Sequence, residues 1–158
     1  AVGGKAEYVD VYADPDASRR PLIGGTYNAH PVSVAAAIAT IEVLLEGGGA
    51  AYRHMDNLGA QLQEGIENLL SHHGVVGRVS RQGGALCLYL MHHLPRDYHD
   101  LAQHHDFDRD VALRRSLIDN GVYFFPVATK QCSISAAHHT DDITTTLEAL
   151  ERTLATLP

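Results

Sequence analysis

The sequence has little basic charge and little cysteine. Lys and Arg together number 12 against 19 Asp and Glu, so the formal net charge is −7 at neutral pH. This deficit argues against a nucleic acid or an anionic membrane as partner, because both attract basic side chains. The two cysteines, Cys87 and Cys132, lack the spacing of metal or redox motifs. We expect them to be reduced, buried thiols of a cytoplasmic protein.

The sequence also lacks a long apolar run, a signal peptide and an initiator methionine. No apolar run approaches the length of a membrane span. The first residues, Ala1-Val2-Gly3-Gly4-Lys5, have neither the basic head nor the apolar stretch of a signal peptide. We therefore expect the chain to begin inside something larger, through processing, choice of the expressed region or loss of an upstream part.

Zinc motifs such as His-Glu-x-x-His are absent, although the chain has eleven histidines. Eight of them form adjacent pairs: His72-His73, His92-His93, His104-His105 and His138-His139. Adjacent side chains point apart on a helix and to opposite faces of a strand, so a pair does not easily supply two ligands to one ion. We expect surface histidines that gain charge below about pH 6.5, and no metal site.

The stretch that is present and distinctive is Gly24-Gly25-Thr26-Tyr27-Asn28-Ala29-His30-Pro31. Two glycines permit a sharp turn and close approach of a ligand, and Pro31 suits the first position of a helix. A glycine turn, a hydroxyl and a helix N-terminus are the parts of an anion site. The alternative is a tight turn capped by Asn28, with Thr26 solvated.

Two helices follow this turn, after a 1–23 segment that reads as loop with one short irregular piece. The first helix runs from Pro31 to about Glu46 and is apolar all round, which predicts that it is buried on all sides. The rest of this chain does not clearly offer enough surface to cover it. Gly47-Gly48-Gly49 ends it. The second helix, about 50–72, carries a single apolar stripe. The stripe consists of Met55, Leu58, Leu62, Ile66 and Leu69.

A β-hairpin and a polar loop come next. A short strand at 77–81 and an apolar run at 85–91 flank Gly83-Gly84, which is typical of a hairpin. Residues 92–106 are polar, rich in histidine and without periodicity, so we expect a mobile loop there.

The rest of the chain predicts helix, two strands and a final helix. Asp106 or Asp108 caps a helix that ends near Asn120-Gly121. Strands are expected at 122–125 and 132–135, and Thr140 is expected to cap the last helix. This order predicts an α+β fold with a three- to four-stranded antiparallel sheet and helices on one face.

Several separated segments together resemble the C-terminal third of one family, the class III pyridoxal-phosphate (PLP)-dependent aminotransferases. Within this family they resemble glutamate-1-semialdehyde 2,1-aminomutase and its relatives most. Residues 1–5 are similar to the end of the family's lysine loop. Residues 25–31 are similar to its Gly-Thr-aromatic-x-x-Asn-Pro turn, with His30 in place of Asn. Asn57-Leu58-Gly59 and the closing segment 121–143 also fit, so the resemblance covers essentially the whole chain.

The resemblance implies a fold, a cofactor and a partner. The fold is that of the small C-terminal domain of fold-type I PLP enzymes, at 50–158, preceded at 1–49 by the end of the PLP-binding large domain. The cofactor is pyridoxal 5′-phosphate, and the enzyme is a homodimer. Thr26 corresponds to the threonine that contacts the cofactor phosphate of the other subunit, and Gly25 approaches it through its backbone.

The resemblance also has limits that bear on activity. The Schiff-base lysine, the aspartate at the pyridine nitrogen and the aromatic stacked on the ring lie upstream of residue 1 in the family. Lys5 falls at the basic position of the Gly-Gly-basic triplet and is not catalytic. Lys130, the only other lysine, stands where similar aminomutases carry glutamate, which puts the aminomutase substrate in doubt. We assign no catalytic residue to this chain and expect it to be inactive alone.

We therefore predict part of an enzyme that transfers an amino group on an amino acid or semialdehyde-type substrate. Its expected partners are the dimer mate, the missing upstream domain and that small substrate, with no nucleic acid or membrane. The alternative is a stand-alone, non-catalytic interaction module derived from this fold. A histidine-rich metal binder ranks third.

Overall fold

The computed structural model describes residues 3–22 and 24–157. Outside the described residues lie Ala1, Val2, Ile23 and Pro158. The first two residues of the lysine-loop resemblance and both ends of the predicted 1–23 loop therefore lie outside them. The chain divides into two compact units, Ala1–Ile41 and Glu42–Pro158. The predicted boundary after residue 49 refers to the domains of a whole enzyme and stays a prediction.

The described part of the N-terminal segment contains short helical turns rather than only loop. Helix α1 spans Ala6–Val9 and continues into a 3₁₀ turn at Asp10–Ala13, and a second 3₁₀ turn spans Ala17–Arg19. Asp16 caps the second turn, since its carboxylate accepts the backbone N–H of Ser18 at 2.9 Å. The sequence prediction of one short irregular piece thus underestimated the local helical content.

Helix α2 spans Pro31–His72 and is interrupted once. Glu46 leaves helical geometry, and Gly47, Gly48 and Gly49 have φ of +57°, +66° and +81°. These left-handed values are accessible to glycine at low cost. The side chain of Arg53 donates to the carbonyls of Gly47 and Gly48, at 2.7 Å and 2.5 Å. The predicted end of the first helix at the glycine triplet is therefore confirmed, as is the second helix to His72.

Helix α2 as a whole, Pro31–His72, is long and apolar enough to be a candidate membrane span, which the sequence analysis had not expected. One 18-residue window of α2 has a mean hydropathy of 1.5. However, the uninterrupted helix ends at Leu45 and is about 22 Å long at 1.5 Å per residue. That is short of the hydrocarbon core of about 30 Å. Most of its large apolar side chains are exposed, including Val32 at 71% and Leu45 at 60%.

The C-terminal unit contains a three-stranded antiparallel sheet. Strands β1 (Arg78–Gln82) and β2 (Ala85–Tyr89) form the predicted hairpin, with Arg81 opposite Leu86. Strand β3 (Cys132–Ser133) pairs with the other edge of β2, giving the order β1-β2-β3. In β1 only Val79 is buried, so one face of this strand meets the core, as expected for helices packed on one side.

The core is formed by the sheet and three helices. These are the second segment of α2, α4 (Phe107–Asp119) and α5 (Thr140–Thr156). Leu58, Leu62 and Ile66 of the predicted α2 stripe are buried. Met55 and Leu69 are half-buried, and Leu70 is buried instead of Leu69. The principal buried residues are Leu58, Leu62, Ile66, Leu70, Val79, Leu86, Leu88, Leu113, Leu117, Ile143, Leu150 and Leu154.

The prediction of a mobile loop at 92–106 is wrong. Residues Tyr98–His104 form helix α3, which Asp97 caps by accepting the backbone N–H of Asp100 at 2.9 Å. Asp100 and His105 are buried, at 6% and 7% exposure. The segment is ordered by buried polar groups, and hydrophobic periodicity does not report these.

Two further predictions require correction. Residues 122–125 are not a strand, and β3 is two residues long, so the described sheet has three strands, within the predicted three to four. The last helix is capped at His139, and Thr140 is its first helical residue. Asp142 accepts the backbone N–H of His139 at 2.7 Å. The helix therefore starts one residue earlier than predicted. Asp106 caps α4 as predicted, by accepting the Arg109 backbone N–H.

We expect Gly59→Ala to destabilise the C-terminal unit by about 1–3 kcal/mol, as overpacking does. A Cβ on Gly59 would lie 2.4 Å from the carbonyl oxygen of Gly83 in the hairpin turn, so helix and turn must separate. Gly65→Ala is the matched helical control, because the three atoms nearest its Cβ all belong to the movable side chain of Leu147. Urea unfolding midpoints should place Gly59→Ala below Gly65→Ala; equal midpoints would contradict the close approach.

Candidate functional site

The predicted phosphate-binding turn is a compact double turn on the surface of the N-terminal unit. The Asn28 backbone N–H donates to the Gly25 carbonyl at 3.0 Å, and the His30 N–H donates to the Tyr27 carbonyl at 3.1 Å. Ala29 has a left-handed φ of +56°. Helix α2 begins directly afterwards at Pro31. Gly25 and Thr26 thus precede the first residue of the helix by six and five residues.

The local geometry of Gly25 and Thr26 fits the approach of an anion. A Cβ built on Gly25 would lie 2.7 Å from Oδ1 of Asn28, an exposed side chain that would have to turn aside. Thr26 is exposed and carries both a hydroxyl and a backbone N–H. Small donors ahead of a helix N-terminus are the chemistry that holds a phosphate.

The two lysines lie in different units, and each lies near a side chain of its own unit. Lys5 lies 3.9 Å from the carboxylate of Glu7, and both side chains are well exposed. The Lys130 ammonium lies 5.7 Å from the centre of the Phe125 ring. Lys130 belongs to the C-terminal unit, in the segment between α4 and β3.

The C-terminal unit contains a buried carboxylate that the sequence analysis missed. Asp110 of α4 is fully buried and accepts three donors. They are the Arg114 Nε at 2.7 Å, the His105 Nε2 at 3.1 Å and the Thr129 backbone N–H at 2.6 Å. The one signal for it in the sequence was the spacing of Asp110 and Arg114 at i and i+4. This pair lies beside Leu113 and Leu117, which belong to an apolar face of the helix.

This network fixes the segment that carries Lys130. The Arg114 Nη1 donates to the carbonyl of Phe125 at 3.3 Å and to that of Lys130 at 3.0 Å. Thr129, held by Asp110, has a left-handed φ of +58°. Arg114 itself is 1% exposed. A buried ion pair therefore determines the backbone path of residues 125–130.

Burial and hydrogen bonding shift the pKa of the Asp110 carboxyl in opposite directions. Burial alone raises the pKa of the Asp110 carboxyl, but the donors His105, Thr129 and Arg114 and the positive charge of Arg114 lower it below its ordinary value. The ionised carboxylate thus contributes stability above the pKa of the unfolded chain, which is lost as the pH falls through the folded pKa. His105, expected at the surface, is an internal bridge: its Nδ1 accepts the backbone N–H of Leu90 at 3.0 Å.

The two cysteines are free thiols, as expected. Cys87 is buried and Cys132 half-buried, so the expectation of burial holds fully only for Cys87. The Cys87 Sγ lies 3.2 Å from the carbonyl of Thr129. Burial raises the pKa of both thiols, which keeps them protonated and unreactive at neutral pH.

No protein-family model matches the chain, but curated and solved proteins are similar to it. The chain is 32% identical over 130 residues to a glutamate-1-semialdehyde 2,1-aminomutase of Thermus thermophilus, a match that covers 82% of this chain and 30% of the relative. The chain thus spans about a third of the length of the curated relative.

Two solved structures have the same fold over almost the whole chain. An omega-transaminase from Sphaerobacter thermophilus superposes with a TM-score of 0.75 and 26% identity, covering 97% of this chain and 34% of the transaminase. A transaminase with PLP bound gives a TM-score of 0.73 at 22% identity, covering 98% of this chain and 34% of that protein, which supports the fold alone. The resemblance and the α+β fold class predicted from the sequence are confirmed.

We expect Arg114→Met to destabilise the C-terminal unit by about 3–5 kcal/mol, because it leaves the Asp110 carboxylate buried without its main charge partner. Exposed Arg115 on the same helix is the matched control, and Arg115→Met should stay within about 0.5 kcal/mol of the parent. Guanidinium unfolding measures both. Pairing Arg114→Met with Asp110→Leu should recover much of the loss; a double variant as unstable as Arg114→Met would contradict a charge-based cause.

Proposed function

We propose that this chain, through its similarity to glutamate-1-semialdehyde 2,1-aminomutase and to transaminases, forms the C-terminal part of a PLP-dependent class III aminotransferase or aminomutase. Residues 1–49 would complete the large domain, and 50–158 would be the small domain. The intact enzyme would transfer an amino group on an amino acid or semialdehyde-type substrate.

The single observation that supports a role at the cofactor is the Gly25–Thr26 turn. Gly25 leaves room beside the Asn28 side chain that a Cβ would take up, and exposed Thr26 precedes the N-terminus of α2. We propose that the Thr26 hydroxyl and backbone N–H donate to a phosphate oxygen of PLP bound by the partner subunit, with the Gly25 backbone close by. When bound, PLP would supply the electron sink for amino-group chemistry.

The residues described here would bind and position rather than react. Thr26 would hold the phosphate, and the Asp110–Arg114 pair would hold the 125–130 segment through the Phe125 and Lys130 carbonyls. We assign no catalytic residue to this chain, since the reactive lysine of the family falls upstream of residue 1. The chain alone would therefore be inactive.

The first segment of α2 supports a need for partner surface. Its exposed apolar side chains are Val32, Val34, Ile38, Ile41, Val43 and Leu45. Apolar surface of this extent is covered in stable proteins. We propose that the upstream large domain and the other subunit of a homodimer cover it in a cytoplasmic enzyme that needs neither nucleic acid nor membrane.

Lys130 favours a substrate other than that of the aminomutases. A cation stands where similar aminomutases carry glutamate, and it is held against the Phe125 ring. Because the sign of the charge is reversed, we propose that the amino donor or acceptor differs from the aminomutase substrate and that a transaminase reaction is favoured. His30 in place of Asn supports the same inference more weakly.

The proposal is tested on protein carrying this sequence purified from its own cells. We expect a polypeptide, or a complex with a companion, about three times the length of this chain, as the 34% coverage of the omega-transaminase implies. Its visible spectrum should show a PLP absorption band in the violet. A lone 17.1 kDa chain that stays colourless after PLP is added would instead support the non-catalytic interaction module.

In that intact enzyme we expect Thr26→Val to weaken PLP binding by roughly 10- to 150-fold, since a hydrogen bond to a charged group contributes about 1.5–3 kcal/mol. PLP release is followed by absorbance during dialysis. Thr26→Ser should restore retention, and Thr144→Val, at an exposed threonine of α5, is the matched control. Unchanged retention in Thr26→Val, with PLP bound normally by the parent, would contradict the Thr26 contact without contradicting the family assignment.

A further inference from the structure

Two of the paired histidines meet at one buried carboxylate in the C-terminal unit. The His93 Nε2 lies 3.1 Å from each carboxylate oxygen of Asp100, and the His104 Nδ1 lies 3.1 Å from its Oδ1. The Asp100 side chain is 5% exposed, whereas His93 and His104 are 43% and 48% exposed. The cluster therefore has a buried carboxylate at its centre and two imidazoles that are partly open to solvent.

The pairing of histidines in the sequence conceals this arrangement. Each of the two pairs contributes one ring to the cluster, while the second member points elsewhere: His105 enters the core and His92 is exposed. Asp100 and His104 lie at i and i+4 of α3, on one helix face. His93 reaches them from the segment before the helix. The sequence argument concerned two ligands from one pair, and it does not apply to one ligand from each of two pairs.

The two histidine-to-carboxylate separations are close to those around a tetrahedral zinc ion. Zn–N and Zn–O bonds of about 2.0–2.1 Å place neighbouring ligand atoms about 3.3 Å apart. The histidine-to-carboxylate distances here are 3.1 Å, and all three donor atoms lie within 4.8 Å of one another. Two imidazole nitrogens and one carboxylate oxygen form a common zinc ligand set.

The groups around the cluster are compatible with a cation. The backbone N–H of Arg96 and then His93 hold the pKa of the Asp100 carboxyl well below its ordinary value, so it is ionised at neutral pH. The Arg96 guanidinium lies 3.5 Å from Oδ1, but its side chain is 80% exposed and free to turn away. The His104 Nδ1 also lies 2.9 Å from the Asp100 carbonyl, and any proton on it would be released on metal binding.

We propose that His93, Asp100 and His104 bind one Zn²⁺ ion, with water in the fourth position. The ion would join the segment before α3 to the helix and so stabilise residues 93–104. This site lies outside the amino-transfer machinery proposed above and does not depend on it.

A second group of ligand-type residues shows why the first is preferred. His72, His73 and Glu151 also lie within 4.8 Å of one another, because His72 ends α2 and His73 lies beyond it. This adjacent pair therefore does bring two rings together, against the sequence expectation. However, its carboxylate, Glu151, is 44% exposed, whereas that of Asp100 is 5% exposed. The group carries no proposal and serves as a control.

The test is a Zn²⁺ titration of the chelator-treated protein at pH 7.5, in competition with a chromophoric chelator. We expect one equivalent to bind and to raise the thermal unfolding midpoint. His93→Gln and His104→Gln should each weaken binding by roughly 100-fold or more, since even the loss of an outer partner costs 10–100-fold. Loss of a ligand should also abolish the rise in midpoint.

His99→Gln is the matched control, because His99 is an exposed histidine of α3 outside the cluster. It should bind Zn²⁺ like the parent, as should His73→Gln at the second group. No stoichiometric binding by the parent, or binding that survives both His93→Gln and His104→Gln, would overturn the proposal. Binding lost only in His73→Gln would overturn it as well. None of these outcomes depends on PLP or on amino transfer.

Discussion

The C-terminal unit depends on one carboxylate that is excluded from water. A buried charge is tolerated only when its oxygens are satisfied by donors, and Asp110 draws these from three separate places in the chain: α4, the residue after α3, and the segment before β3. The demand for donors at Asp110 therefore determines where α3 ends. It also determines where the 125–130 segment runs.

The same constraint explains why residues 122–125 are not a strand. The run Val122-Tyr123-Phe124-Phe125 has strong β propensity, but its backbone groups bond elsewhere. The Val122 N–H donates to the Leu117 carbonyl at 2.9 Å, and the Phe125 carbonyl accepts from Arg114. Backbone groups used in this way cannot join a strand ladder, so tertiary polar contacts override local propensity.

How much the sequence could predict follows from the range of each interaction. The α2 segments, the glycine interruption and the hairpin were predictable because periodicity and turn residues act locally. Helix α3 was not, because a seven-residue polar helix held by Asp97 and Asp100 has no apolar stripe. At the candidate site, Gly25 and Thr26 could be proposed from a contiguous motif. The Asp110 network and the Asp100 cluster join residues distant in sequence and required the fold.

The glycine triplet has a stereochemical consequence. Gly47, Gly48 and Gly49 have φ of 57–81° and ψ of 30–37°, so they trace nearly one turn of a helix of the opposite hand. At these positions it is handedness rather than space that excludes other side chains, because an l-residue pays about 1–2 kcal/mol there. Its mirror image pays nothing comparable. A d-alanine incorporated by chemical synthesis would therefore suit a backbone that l-alanine strains, and the achirality of glycine is what lets a ribosomally made chain reverse its hand between the two segments of α2.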